Sequence, residues 1–256
     1  MTDWFSLSIL LGLLSLDTTA VGQFMVSRAI VVGPLVGWIL GDPGLGLALG
    51  ALVELIWAGD LPVGSHLPLD TTLLAGVGTA LAVGLVRTGV GPEAAVTYAL
   101  CAGIPLAALS SEAENLLRKA YVRIVRQAQH QVEAGHLATF ESVNVGILLS
   151  QWAKGWVTAA LALAAAHGAL RLFPNLPAEV ISGLSYAPWF LMATGCAAAL
   201  DLLVDPKHLI PLVVSVAAAS GLVLFLHVPV LYLLPVSLFA GFFFSIVRIR
   251  RERRAA

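Results

Sequence analysis

Apolar runs long enough to cross a lipid bilayer dominate this chain. A hydrocarbon core of about 30 Å takes roughly 20 mostly apolar helical residues, and such runs fall at about 5–22, 73–90, 93–111, 143–170, 184–204, 209–226 and 228–248. With no water in the bilayer, backbone N–H and C=O groups must be satisfied inside the protein, and continuous runs of this length do so as helices. The expected fold class is therefore all-α: a polytopic integral membrane protein with about seven full spans plus a short re-entrant or broken helix pair. Composition leads the same way. Of 256 residues 59% are hydrophobic and 11% charged, against roughly 25% charged in a soluble domain. Lipid must be the solvent for much of the surface, and no stretch is left over for a separate soluble catalytic domain.

The short pair is the exception among the runs. Residues 29–41 and 44–58 are apolar, and Gly41-Asp42-Pro43-Gly44 separates them. Thirteen helical residues rise only about 20 Å. A re-entrant hairpin, two halves of a broken helix and a long tilted pair all fit. Short apolar segments interrupted by Gly and Pro point to a transporter's binding site, because their exposed ends must face protein, water or substrate. Gly44-Leu45-Gly46-Leu47-Ala48-Leu49-Gly50 reads as close helix packing rather than a nucleotide loop.

Charge is placed rather than spread. Of 14 Lys and Arg residues, Arg118, Lys119, Arg123 and Arg126 lie in the polar stretch 112–142, and five more arginines form the tail. Leu116, Leu117, Tyr121, Ile124 and Val125 recur at helical spacing in that stretch, which suits an amphipathic surface helix or a plain cytoplasmic loop helix equally. The positive-inside rule puts both basic regions in the cytoplasm and the N-terminus outside, with Arg87 on the outer side as an objection. The N-terminus lacks the basic region of a cleavable signal, so the first run is expected to be a retained helix. The chain then divides into an N-terminal membrane region (1–111), a cytoplasmic amphipathic arm (112–142), a C-terminal membrane region (143–247) and a basic cytoplasmic tail (248–256). There is no basic face for nucleic acid. Cys101 and Cys196 are isolated in apolar runs and read as packing residues. No nucleophile elbow, zinc-protease motif or P-loop occurs, so neither an enzymatic activity, a metal nor a cofactor is expected.

Ionisable groups at membrane depth cost at least about 2.5–3.5 kcal/mol each on insertion scales and usually have a role. Here they cluster between positions 17 and 70. Asp17 and Gln23 close the first run, Arg28 precedes the short pair, Glu54 ends it beside Trp57, and Asp60, His66 and Asp70 follow in a Gly/Pro loop. Carboxylates and amides suit sugar hydroxyls, and tryptophan offers an apolar platform for a sugar face; the same carboxylates would suit ion coupling. The candidate substrate-binding residues are Gln23, Glu54, Asp70, His66 and Asp17. Each has a structural alternative: Asp70 as the N-cap of the next run, Asp17 as a helix-ending cap, His66 as a polar loop residue, Glu54 in a structural hydrogen bond. Arg28 is expected to pair with a nearby carboxylate or to snorkel, and Lys154 to snorkel.

The series Gly22-Gln23-Phe24-Met25-Val26-Ser27-Arg28, Gly33-Pro34-Leu35-Val36-Gly37, Leu40-Gly41-Asp42, Gly50 to Glu54, Pro62-Val63-Gly64 and Pro68-Leu69-Asp70 resembles the EIIC subunit of mannose/fructose/sorbose-type phosphotransferase systems. Order and spacing match over about residues 15–75, and Pro177 to Leu184 continues the likeness more loosely. The resemblance implies a permease of the bacterial inner membrane that moves a hexose or related sugar inward, working with a homologous membrane subunit, EIID. It implies cytoplasmic EIIB and EIIA as phosphate donors, a trimer of EIIC–EIID pairs, translocation by displacement of a core that carries the site, and sugar contacts at Gln23, Glu54 and Asp70. Two other readings stand beside it. One is an ion-coupled secondary transporter using Glu54 and Asp70; the other is a membrane scaffold or sensor that carries nothing.

Overall fold

In a computed structural model the described residues are 4–60, 67–133 and 138–203. Two compact units divide the chain, Met1–Leu200 and Asp201–Ala256; the first holds nearly all the described residues. These are helical, with no strand among them. Helices α1 (Trp4–Thr19), α2 (Ala29–Leu40), α3 (Pro43–Ile56), α4 (Thr71–Arg87), α5 (Pro92–Glu133), α6 (Ala138–Leu172) and α7 (Ala178–Leu203) follow in chain order.

Helix α4 is the centre. Thirteen of its 17 residues are buried, which is why it reads as apolar all round. Helices α2, α3, α5, α6 and α1 pack about it. Between α1 and α6 the approach is close enough that a Cβ on Gly12 would stand 2.8 Å from the Trp156 backbone nitrogen.

The short pair is an antiparallel helical hairpin. Gly41 stops α2 in the left-handed conformation (φ 90°), where a side chain would be strained. Asp42 starts α3 by accepting a hydrogen bond from the Leu45 N–H at 2.9 Å, and Pro43 takes the first helical position. The two helices touch backbone to backbone. A Cβ on Gly33 would collide with the carbonyl oxygen of Gly46, one on Gly46 with that of Gly33, and one on Gly50 with that of Ala29. Of the glycines expected to serve close packing, Gly46 and Gly50 do so, whereas a Cβ on Gly44 would meet only the Asp42 side chain, at 3.6 Å. At about 18 and 21 Å, the 12 residues of α2 and 14 of α3 are each shorter than the hydrocarbon core. Helix α4 runs alongside for the full length of α2: Thr72 Oγ1 donates to the Ser27 carbonyl at its base, and Arg87 donates to the Leu40 carbonyl at its tip. Arg87 thus satisfies an otherwise open helix end, which gives a reason for a cation there.

Among the described residues three helices are long and apolar enough to cross a membrane: Pro92–His130, Glu141–Asn175 and Ala178–Ala198. The 16 residues of α1 and 17 of α4 rise about 24–26 Å, short of a full core. The runs at 209–226 and 228–248 lie outside the described residues. Helix α5 continues for 42 residues, about 63 Å, so the run at 93–111 and residues 112–133 of the polar stretch lie on one helix, while 138–142 begin α6. Helix α7 carries Tyr186, Trp189 and Phe190 exposed, an apolar face suited to lipid or to another membrane subunit. Cys101 and Cys196, expected as packing residues, are exposed as well.

Candidate functional site

The loop after α1 is built on one carboxylate. Asp17 is buried, and its oxygens accept from the Phe24 N–H (2.6 Å), the Ser27 N–H (3.1 Å) and the Ser27 hydroxyl (3.0 Å). Those bonds fold residues 20–28 back over the end of α1. In the loop Gln23 (φ 51°) and Met25 (φ 67°) both adopt the left-handed region, a conformation costly for residues with a Cβ and held only where surroundings over-determine it. Asp17 is thus the anchor of a strained loop, in keeping with its cap-like alternative.

The loop leads into Arg28, which precedes α2. Because α2 and α3 are antiparallel, Arg28 at the start of one meets Glu54 near the end of the other, and the two form an ion pair across the open base of the hairpin. Arg28 therefore pairs with a carboxylate, as its position suggested. Asp70 starts α4: Oδ1 accepts from the Leu73 N–H at 2.9 Å, the geometry of an N-cap. Its other oxygen, Oδ2, accepts from the Ser110 hydroxyl at 2.6 Å.

A third group of polar side chains comes from α5 and α6. Glu114 accepts from Arg118 Nε at 3.1 Å and from Gln151 Nε2 at 2.6 Å. Tyr121 donates to Gln151 Oε1 at 3.1 Å and lies 2.7 Å from the Ser150 hydroxyl. The Lys154 ammonium stands 3.4 Å from Glu114 Oε2 and 3.8 Å from Asp70 Oδ2. Lys154 does not snorkel. Its side chain is 13% exposed and mid-way along α6, and two carboxylates compensate its charge where lipid could not.

These three groups face one cavity of about 260 Å³. Asp17, Gln23, Glu54 and Asp70 all line it; His66 lies outside the described residues. Trp57 and Asp60 line it too, and Asp60 Oδ2 accepts from the Leu69 N–H at 3.1 Å. Sequence reasoning missed the α5–α6 wall: Ser111, Glu114, Arg118, Gln151 and Lys154. A signal existed. Positions 111, 114, 118 and 121 recur at helical spacing beside the apolar stripe that shares Tyr121. No cluster of side chains suited to a metal ion occurs among the described residues.

Polar groups gathered inside an apolar helical body, around the base of a hairpin too short to span, define a membrane permease. The family follows from comparison. A family model described as the sorbose-specific IIC component of the phosphotransferase system matches residues 4–245, and the chain belongs to that family: it is a permease (IIC) component of the mannose/sorbose type. It is 28% identical over 239 residues to N-acetylgalactosamine permease IIC component 1 of Escherichia coli K12, covering 93% of this chain and 84% of that one. It is 25% identical over 206 residues to the fructose permease IIC component of Bacillus subtilis 168, covering 78% and 74%. Among solved structures, one described as a membrane protein superposes with a TM-score of 0.74 at 19% identity, covering 98% of this chain and 96% of that one. The mannose transporter ManYZ in complex with microcin E492 gives 0.52 at 20% identity, over 96% and 93%. Both establish the fold.

Proposed function

We propose that the cavity binds a hexose or related sugar and that this chain carries it inward across the bacterial cytoplasmic membrane, with phosphorylation by partner subunits. The observation that carries the reading is the convergence of the Gln23 loop, the Glu54 hairpin base and the Asp70 helix start on one cavity. Glu54, Asp70 and Gln23 are the sugar contacts in this reading. Asp17 acts through the loop that presents Gln23, and His66 sits in the segment between Asp60 and Asp70. Sugar hydroxyls both donate and accept, and the lining supplies both kinds of partner. One of the similar solved structures is the mannose transporter ManYZ, which supports an EIID-like membrane partner; phosphorylated EIIB, recharged by EIIA, would supply the phosphate. The working unit is a trimer of EIIC–EIID pairs, with about seven crossings in this chain and both the 112–142 arm and the C-terminus in the cytoplasm.

Uptake of radiolabelled hexoses into vesicles holding the chain and its EIID partner tests the reading. Accumulation as sugar phosphate should require phosphorylated EIIB. Uptake driven by a proton gradient without EIIB would mark an ion-coupled transporter instead. Assembly without uptake of any hexose would mark a scaffold.

A further inference from the structure

The cavity wall holds an amine of its own. Lys154 Nζ lies within ion-pair distance of Asp70 Oδ2 from α4 and Glu114 Oε2 from α5, and all three residues line the cavity. Among the cavity's cations it is the most enclosed: its side chain is 13% exposed, against 44% for Arg28 and 45% for Arg118. Its two carboxylates have other partners, but those are asymmetric. Asp70 Oδ2 otherwise receives only a neutral hydroxyl, from Ser110. Glu114 Oε2 otherwise receives only a neutral amide, from Gln151, while Arg118 binds Oε1. On these two oxygens, then, the lysine ammonium supplies the compensating positive charge. Carboxylates enclosed this way strongly favour a cation between them.

We propose that Lys154 sets the charge specificity of the cavity: its ammonium fills the position a cationic ligand would take between Asp70 and Glu114, so that uncharged sugars are accepted in preference to amino sugars. The inference rests on the cavity being the sugar site and adds which sugars it selects. An amino sugar carries a protonated primary amine, the same group that ends the lysine side chain. In the native protein that amine meets a place already occupied by like charge. With the lysine removed, Asp70 and Glu114 face the cavity with no cation between them, and the ligand's own ammonium can restore the arrangement.

The test is a ratio of affinities in the chain–EIID complex, measured with glucose, mannose and galactose, each beside its 2-amino-2-deoxy counterpart, at about pH 6.5, where an aliphatic amine of this kind is protonated. The native complex should prefer the uncharged sugar. Lys154→Met should shift the ratio toward the amino sugar by ten-fold or more, equivalent to about 1.4 kcal/mol. Lys154→Met/Glu114→Gln, which removes one of the two carboxylates with the lysine, should return the ratio most of the way; if Lys154→Met does not assemble, Lys154→Gln, which also removes the ammonium, is measured in its place and should show the same shift. An assembled Lys154→Met complex with a ratio within about three-fold of native would overturn the proposal, as would a shift that Glu114→Gln fails to reverse. If the native complex binds none of the six sugars, the sugar-site reading itself fails and takes this inference with it, an outcome distinct from binding with an unmoved ratio.

Discussion

Replacing Gly46 by alanine should separate the two arms of the hairpin. A Cβ at this position runs into the Gly33 carbonyl oxygen and also stands 3.1 Å from the Gly37 Cα. Both obstacles are backbone, so no side chain can rotate away and the helices themselves must move apart. Overpacking of a tight interface costs typically 1–3 kcal/mol, and backbone contact on this scale belongs at the upper end. Alanine recovers about 1 kcal/mol of helix propensity, which leaves a net loss of about 2 kcal/mol. For a chain of this size that corresponds to a fall of about 4–8 °C in melting temperature, readable by thermal unfolding of the purified protein in detergent. Gly168→Ala is the matched control: the same change on α6, where an added Cβ meets nothing within 4 Å, should leave the melting temperature unchanged or raise it. If Gly46→Ala is no less stable than Gly168→Ala, the hairpin is not held by close glycine contact and the reasoning fails.

Asp17→Asn should destabilise the sugar-free protein by about 2–3 kcal/mol, since one amide oxygen cannot serve donors on both sides and a buried N–H is left unsatisfied; an unchanged melting temperature would show that the carboxylate does not hold the 20–28 loop. With Cys101 and Cys196 replaced, cysteines introduced as His130→Cys and Arg253→Cys should both resist an impermeant thiol reagent in intact cells, and labelling of either from outside would reverse the proposed orientation.

Much of the helical character was legible because lipid imposes a crude rule: apolar runs become helices. The limits of the runs were less so. The apolar run ends at 111 but α5 continues to Glu133, because composition marks a change of surroundings rather than the end of a helix. The hairpin was legible as a short interrupted pair, because Gly41, Asp42 and Pro43 each carry a stop or start signal. Its antiparallel closure was not, since that depends on which glycines meet across the interface. At the site, residues near one another in sequence were found: Asp17, Gln23, Glu54 and Asp70 fall within one stretch. Glu114, Gln151 and Lys154 come from helices far along the chain: Glu114 lies in the polar stretch and Lys154 in an apolar run where snorkelling was expected. Only the packing of α5 and α6 against α4 turns them toward the same cavity as Asp70.

The claim that this cavity is the sugar site is tested most directly by equilibrium binding of a radiolabelled transported sugar to the assembled complex, native and with Glu54→Gln. A charge-assisted hydrogen bond from a hydroxyl contributes roughly 1.5–3 kcal/mol, so the substitution should weaken binding by about ten-fold or more while the complex still assembles. An assembled Glu54→Gln complex that binds the sugar with native affinity would contradict the account and leave the Arg28–Glu54 pair a structural clasp on the hairpin base.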